Sequence, residues 1–312
     1  MQLLFLVIWL LRRRLRQSWP LLVVTSFGIL ASVTIMSTGA LYSRALGEAG
    51  LRHSISSFSP EVHNAQITAQ NRPLGRADYL PLEALVEKSS KDRLEEMLLS
   101  SERFGRTQAN LTLLSTPTTP ILGSPSGRPF FLTGFEEHST LTQGRWPVSR
   151  SLQDLADGQA IEIVLGFESS RQLSYLVGDE IFLVPSRASS DRIPFEVVGV
   201  ANPIDADEEY WMDNTGYFEL GSVGESVVVP IYMTEDDFFQ GIGARYTTLV
   251  GDFGFFLFLD AGYLTVGNAK EVKQQIVGLE TDLNKKYPRT LVLTRLGLTV
   301  EEFDRALTLA RI

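Results

Sequence analysis

Reactive side chains at workable spacings are scarce in this chain. It has no cysteine, which excludes disulfides, thiolate metal sites and thiol nucleophiles together. Its three histidines, His53, His63 and His138, show no metal-ligand spacing and read as isolated surface or loop residues. No serine-nucleophile elbow, phosphate-binding loop or dinucleotide fingerprint occurs, and Gly241-Ile242-Gly243 lacks the spacing that would continue one. Asp205, Asp207, Glu208, Glu209 and Asp213 form an acidic cluster after a strand. Hard oxygens of this kind suit Ca²⁺, but the calcium-loop spacing is missing, so the cluster reads as a solvated loop. Tyr210, Trp211 and Met212 interrupt it, and two readings stand: contact with a partner domain or lipid headgroups, or a local core folded beneath the loop. Asn110-Leu111-Thr112 matches a glycosylation sequon but falls in a predicted strand. No catalytic constellation emerges, so the chain reads as a non-enzyme with no cofactor and no metal.

The elements that would position any site begin with a strong asymmetry of charge. The 312 residues carry a formal charge of -9, which gives nucleic acid no broad electrostatic attraction. Residues 1–44 hold five arginines and no acid, whereas the rest carries 23 Lys or Arg against 37 Asp or Glu, a net -14. Between Arg16 and Arg44 lie 27 uncharged residues, Gln17 to Ser43. About 20 helical residues cross a hydrocarbon core, so this segment predicts a transmembrane helix. Arg12, Arg13, Arg14 and Arg16 precede it and set the topology, with the N-terminus cytoplasmic and the acidic body outside. A cleaved signal peptide is the rival reading; its apolar region would be shorter, about 7–15 residues.

Beyond the span the expected fold class is α+β. Residues 62–70 read as a strand, 82–104 as a helix and 110–115 as a second strand, a strand–helix–strand unit. The Pro-, Gly- and Ser-rich stretch 116–129 reads as a loop. Residues 161–165, 180–184, 194–200 and 227–233 are short, β-branched runs bounded by turn residues, hence strands. A helix over 167–176 would turn through Gly178-Asp179 into the next strand, with Gly178 at the C′ position. The run 255–260 is too short to cross a membrane and reads as a buried strand. Val272, Ile276, Leu279 and Leu283 predict a helix over 269–286 that Pro288 stops, followed by a strand over 290–294.

Gly144-Arg145-Trp146-Pro147, then EIVLGFESSRQLSYLVGDEIFLV from Glu162, then PFEVVGV ending just past Gly199, stand in an order that resembles the extracytoplasmic domain of ABC transporter permeases of the MacB/FtsX class. The resemblance covers the chain in layout but rests on residues 144–200 for its motifs. It implies a permease subunit that does not hydrolyse ATP, pairs with a cytoplasmic ABC ATPase subunit, forms a homodimer or paired permease, and sits among the lipids of the cell (inner or plasma) membrane. In it, Gly144, Arg145, Trp146, Pro147, Gly178, Asp179 and Gly199 are structural rather than catalytic; Tyr210 and Trp211, read from the acidic loop and not from the resemblance, are the possible partner contact. The expected organisation is a basic cytoplasmic or interfacial segment (1–16), a transmembrane helix (17–43) and a membrane-exit helix (44–61). A mixed α/β extracytoplasmic subdomain (62–124 and 236–298) with a strand-rich inserted subdomain (125–235) follows. Residues 299–312 start a return helix toward a second span, which implies that the native chain continues. The alternative is an extracytoplasmic sensor or binding domain of a membrane-anchored non-transport protein.

Overall fold

The computed structural model describes Trp19–Thr38 apart from Leu22, the single residues Tyr42 and Ala49, and residues 64–294 with short gaps. Arg12, Arg13, Arg14, Arg16, His53, His63, Asn110, the return segment 299–312 and the exit segment 44–61 apart from Ala49 lie outside the described residues. The chain divides into two compact units, residues 1–54 and 55–312. In the first, helix α1 (Trp19–Thr38) is 20 residues long and apolar enough to cross a bilayer by length and composition. Its threonine hydroxyls need no outside partner: those of Thr25, Thr34 and Thr38 donate to the carbonyls of Leu21, Leu30 and Thr34 at 2.9, 2.7 and 2.7 Å.

The second unit is a mixed α/β domain with a strand-rich core. In chain order its elements are β1 (Ala65–Pro73), α2 (Arg76–Leu94), β2 (Leu98–Thr107), β3 (Leu111–Leu114), β4 (Ser126–Leu132), β5 (Ser139–Gly144), α3 (Leu152–Ala156), β6 (Ile161–Gly166), α4 (Phe167–Leu173), β7 (Glu180–Val184) and β8 (Ile193–Pro203). Then come β9 (Gly221–Val223), β10 (Ser226–Tyr232), the one-turn helix α5 (Glu235–Asp237), a π-helical turn (Phe238–Gly243), β11 (Val250–Leu259), α6 (Ala269–Lys286) and β12 (Thr290–Leu293). The helix expected over 82–104 begins at Arg76, with Pro81 inside it, and gives way to strand β2. Proline removes a donor from a helix interior, so it signals a boundary that tertiary packing overrides here. β2, not 110–115, therefore completes the first strand–helix–strand unit. β4 begins inside the stretch 116–129 that reads as a loop, and β5 carries no strand pattern in the sequence.

β12, β1, β11 and β2 lie side by side, every neighbouring pair antiparallel. With α2 joining β1 to β2 and α6 joining β11 to β12, this is the split βαβ arrangement of ferredoxin-like folds. The chain between β2 and β11 is an insertion, and it closes on itself. β3 pairs β4 and β7, β7 pairs β8, β8 pairs β6, β6 pairs β10, and β10 returns to β4. This six-strand ring leaves no edge of its own. Its interior is filled by side chains at alternate positions: Leu113, Ile163, Leu183, Phe195, Val197 and Ile231 are all at most 1% exposed. Gly127 faces that interior, where a Cβ would press on Leu183 and Ile231 at 2.6 and 2.8 Å.

Period-two alternation builds a core on each side of the sheet. Phe253 and Phe255 of β11 gather with Tyr79 of α2, Phe131 of β4 and Phe239 of the π turn, ring centroids 4.8 to 6.4 Å apart. Phe104, Phe130 and Phe256 point the other way and join Phe135, Tyr210, Trp211, Phe218 and Tyr232. α2 and α6 are tied by Arg93, whose guanidinium reaches Asp282 at 2.7 Å.

Candidate functional site

The motif residues meet where β5 runs into β8. Gly144 and Gly199 are cross-strand partners, and both backbones approach too closely for a side chain. Gly144 has φ +77°, and a Cβ there would strike the carbonyl of Val198. A Cβ on Gly199 would strike the carbonyl of Arg145 and stand 3.0 Å from Leu141 and 3.2 Å from Val164. The β6–β8 register skips one residue here: Ile163 pairs Val197 and Val164 pairs Gly199. Val198 is therefore the bulged residue, and its carbonyl accepts from the Arg145 N–H at 2.9 Å.

Strand pairing also sets Glu162, Glu196 and Glu180 in a row across β6, β8 and β7. Carboxylates directly opposite one another repel, so the row needs cations. The Arg145 guanidinium grips Glu162 with both forks, Nη2 to Oε1 at 2.7 Å and Nη1 to Oε2. Arg150 Nη2 lies 3.1 Å from Glu162 and 3.5 Å from Glu196, and the Val148 N–H donates to Glu162 at 2.9 Å. The Arg145 hydrogen bond holds the Glu162 carboxyl below its usual range, against the opposing effect of burial. The same segment ties into the chain beyond β10. The Arg150 N–H donates to Asp237 Oδ1 at 2.9 Å, and the Thr234 hydroxyl donates to Oδ2 at 3.0 Å. Burial pushes the Asp237 carboxyl up despite these donors. Trp146 packs edge-on against Phe135 and Tyr232 at 6.2 and 6.3 Å, and Pro147 is buried. The arrangement binds four chain segments together.

The two carboxyls titrate with opposite effect on stability. Glu162 is depressed, so its contribution is present above its unfolded value, about 4.3, and is lost as pH falls through the folded value. Asp237 is raised, so the folded state takes up its proton first and gains stability as pH falls through that raised value. Glu162→Gln is therefore expected to flatten the acid limb of stability below about pH 4, and Asp237→Asn to remove the gain at higher pH. Urea midpoints by tryptophan fluorescence across this range check both; an E162Q profile parallel to the parent would reject the pairing of Glu162 with Arg145 as a source of stability.

Gly178 (φ +96°) donates its N–H to Val197 O at 2.8 Å, and Val197 N–H donates to Asp179 O at 2.9 Å. The Asp179 carboxylate closes the turn by accepting from Leu176 N at 2.8 Å. Gly178 is not the C′ residue of α4; Ser174, at φ +57°, takes the left-handed position where the helix ends. Tyr210 and Trp211 are folded under the acidic loop, 4% and 0% exposed, and so offer no surface to a partner. Both polar tips are satisfied within the domain, Tyr210 OH donating to Thr133 O at 2.6 Å and Trp211 Nε1 to Asp205 O at 2.9 Å. His138 stacks on Tyr210, centroids 3.8 Å apart, and its Nδ1 lies 2.8 Å from Glu208 Oε1. Among the described residues no group of three acidic or histidine side chains could hold a metal. Arg150, Glu162, Thr234 and Asp237 were not singled out from sequence. The available signal was Glu162 itself, a charge inside the apolar strand IEIVLG.

The chain matches no protein-family model and no curated protein. Among solved structures, the extracellular domain of the noncanonic ABC-type transporter YknZ from Gram-positive bacteria aligns over 74% of this chain and 100% of that one, at 10% identity and a TM-score of 0.35. The likeness is distant, with identity and score too low to carry fold or function from one to the other.

Proposed function

We propose that this chain is the first membrane span and extracytoplasmic domain of an ABC transporter permease of the MacB/FtsX class. In this reading α1 spans the cell membrane with the arginine cluster on the cytoplasmic side, and a separate cytoplasmic subunit hydrolyses ATP. The domain is the moving part outside, working as a dimer or paired permease and turning ATPase motion into export or a mechanical signal. In this reading β12, β1, β11 and β2 belong to the membrane-proximal part and the ring between β2 and β11 is the inserted part; the boundaries expected at 124 and 236 give way to 107 and 250, because β3 pairs within the ring. The observation that carries the reading is the meeting of Gly144, Arg145, Trp146 and Gly199 in one knot around Glu162. Residues grouped only by their order in the sequence share one architectural role, downstream of an uncharged helix of membrane length.

The test is isolation of the full chain from gently solubilised native membranes with an antibody to the domain, followed by intact mass measurement of everything recovered. A stoichiometric ATP-binding subunit is the expected result. Recovery of the chain without one, also after crosslinking in the membrane, would remove the permease reading and leave an anchored sensor or binding domain.

A further inference from the structure

The edges of the sheet are not treated alike. At β12 the outward backbone groups of Thr290 are closed by Asn284 of α6: Asn284 Nδ2 donates to Thr290 O at 2.6 Å, and Thr290 N donates to Asn284 Oδ1 at 3.2 Å. β2 differs along its first half. β11 pairs it on one side throughout, but β4 reaches only Phe104–Arg106 on the other. Thr133 then closes Arg103, whose N–H donates to Thr133 Oγ1 at 2.8 Å and whose carbonyl accepts from Thr133 N at 2.9 Å. Outward groups recur at every second residue, so Ser101 also points its N–H and C=O away from β11. Among the described residues nothing meets them. Leu99, the bulged residue of this ladder, is 69% exposed, and neither lysine nor proline guards Leu98–Ser101.

Beside this edge α2 leaves a cavity of about 340 Å³ over the sheet. Val86, Leu98, Phe255 and Leu257 make its apolar lining, with Ser90 and Ser101. Ser90 is 2% exposed, and its hydroxyl has no hydrogen-bond partner among the described residues. Glu87 and Glu95 stand at the cavity against the single cation Lys91. An open strand edge with a side-chain pocket next to it is the geometry of strand addition. In that mode main-chain hydrogen bonds supply affinity and the pocket selects a residue.

We propose that the free edge of β2 at Leu98–Ser101 receives an extended, cationic peptide segment of a partner protein, which inserts an apolar side chain between β2 and α2. The acidic rim and the net -14 of residues 45–312 favour a basic segment over an acidic one. The proposal is independent of the permease reading.

The test uses the full chain in a non-ionic detergent and fluorescence polarisation of a labelled peptide, acetyl-Lys-Val-Lys-Leu-Lys-Val-Lys-amide. The control is the same peptide with every backbone nitrogen methylated, which keeps charge and side chains but leaves no N–H on either edge to pair with a strand. The parent peptide is expected to bind at least about tenfold more tightly than the methylated one. Ser101→Pro removes an outward N–H while sparing the ladder to β11, and is expected to cost a similar factor. Ser90→Met, which fills the cavity, is expected to weaken binding without Ser101→Pro, so the test survives if the proline variant folds poorly. Equal binding of the two peptides, absent binding, or indifference to both variants would overturn the proposal. So would self-association of the parent that Ser101→Pro abolishes, since the edge would then pair with a second copy.

Discussion

Replacing Trp211 with alanine is expected to lower the free energy of unfolding by about 3–5 kcal/mol, the range for deleting a fully buried large aromatic. Trp211 is 0% exposed and meets Phe135, Tyr210 and Phe218 edge-on, with centroids 5.9, 4.6 and 5.1 Å away. Those three rings come from three stretches of chain, around 135, 210 and 218, and cannot all collapse into the space one indole leaves. Trp211→Phe keeps an aromatic body and gives up the hydrogen bond to Asp205 O, so it should cost nearer 1–2 kcal/mol, on the order of one buried hydrogen bond plus a small void. Urea denaturation followed by circular dichroism separates the three proteins. A W211A variant as stable as the parent would mean that the acidic loop is not folded over an aromatic core.

The second large effect is expected at Gly144, and the chain contains its own control. Gly144 and Gly158 have nearly the same φ, +77° and +78°, but nothing stands within 4 Å of a Cβ built on Gly158. Gly158→Ala should therefore cost only the left-handed conformation, about 1–2 kcal/mol. Gly144→Ala adds the collision with the Val198 carbonyl, a backbone atom that cannot step aside without breaking the β5–β8 pairing. Its cost is expected at about 2–5 kcal/mol, the conformational term plus that of overpacking. Equal midpoints for the two variants would show that the β5–β8 crossing is looser than drawn.

The parts of the fold legible in the sequence are those in which one strong pattern dominates. Helix α6 shows its apolar stripe Val272, Ile276, Leu279 and Leu283 and ends at Pro288, and it was read to its first and last residue. The strands β6, β7, β8 and β10 are β-branched runs between turn residues and were legible for the same reason. β2 was not, because LLSSERFGRT alternates weakly and Leu98 stands at helical spacing from Leu94, continuing the face of the preceding helix. β4 was hidden by its own composition: Ser126, Gly127 and Pro129 are turn residues in isolation. Here Gly127 is demanded by the barrel interior, and Pro129 sits on the strand that closes the ring. At the candidate site the order of Gly144, Arg145, Trp146 and Gly199 was readable, but their meeting was not. Which carboxylate Arg145 grips depends on a one-residue bulge at Val198; Gly199 inside the strand marks a bulge locally, but not the register or the partner that follow from it. For Tyr210 and Trp211 the sequence shows acids on both sides and leaves burial undecided; the long-range core supplied by β4, β10 and Phe135 decides it.

Gln66, near the start of β1, lies directly opposite Leu293, at the end of β12, in an antiparallel pair. The domain thus has both its handles at one spot, and that fixes how it answers to force. Drawing the two flanking segments apart would open the β1–β12 pair from that end like a zipper, one rung at a time. The four rungs from Gln66–Leu293 to Ala69–Thr290 would yield in sequence at low tension. Drawing both segments the same way loads none of these rungs and carries the whole domain along as cargo.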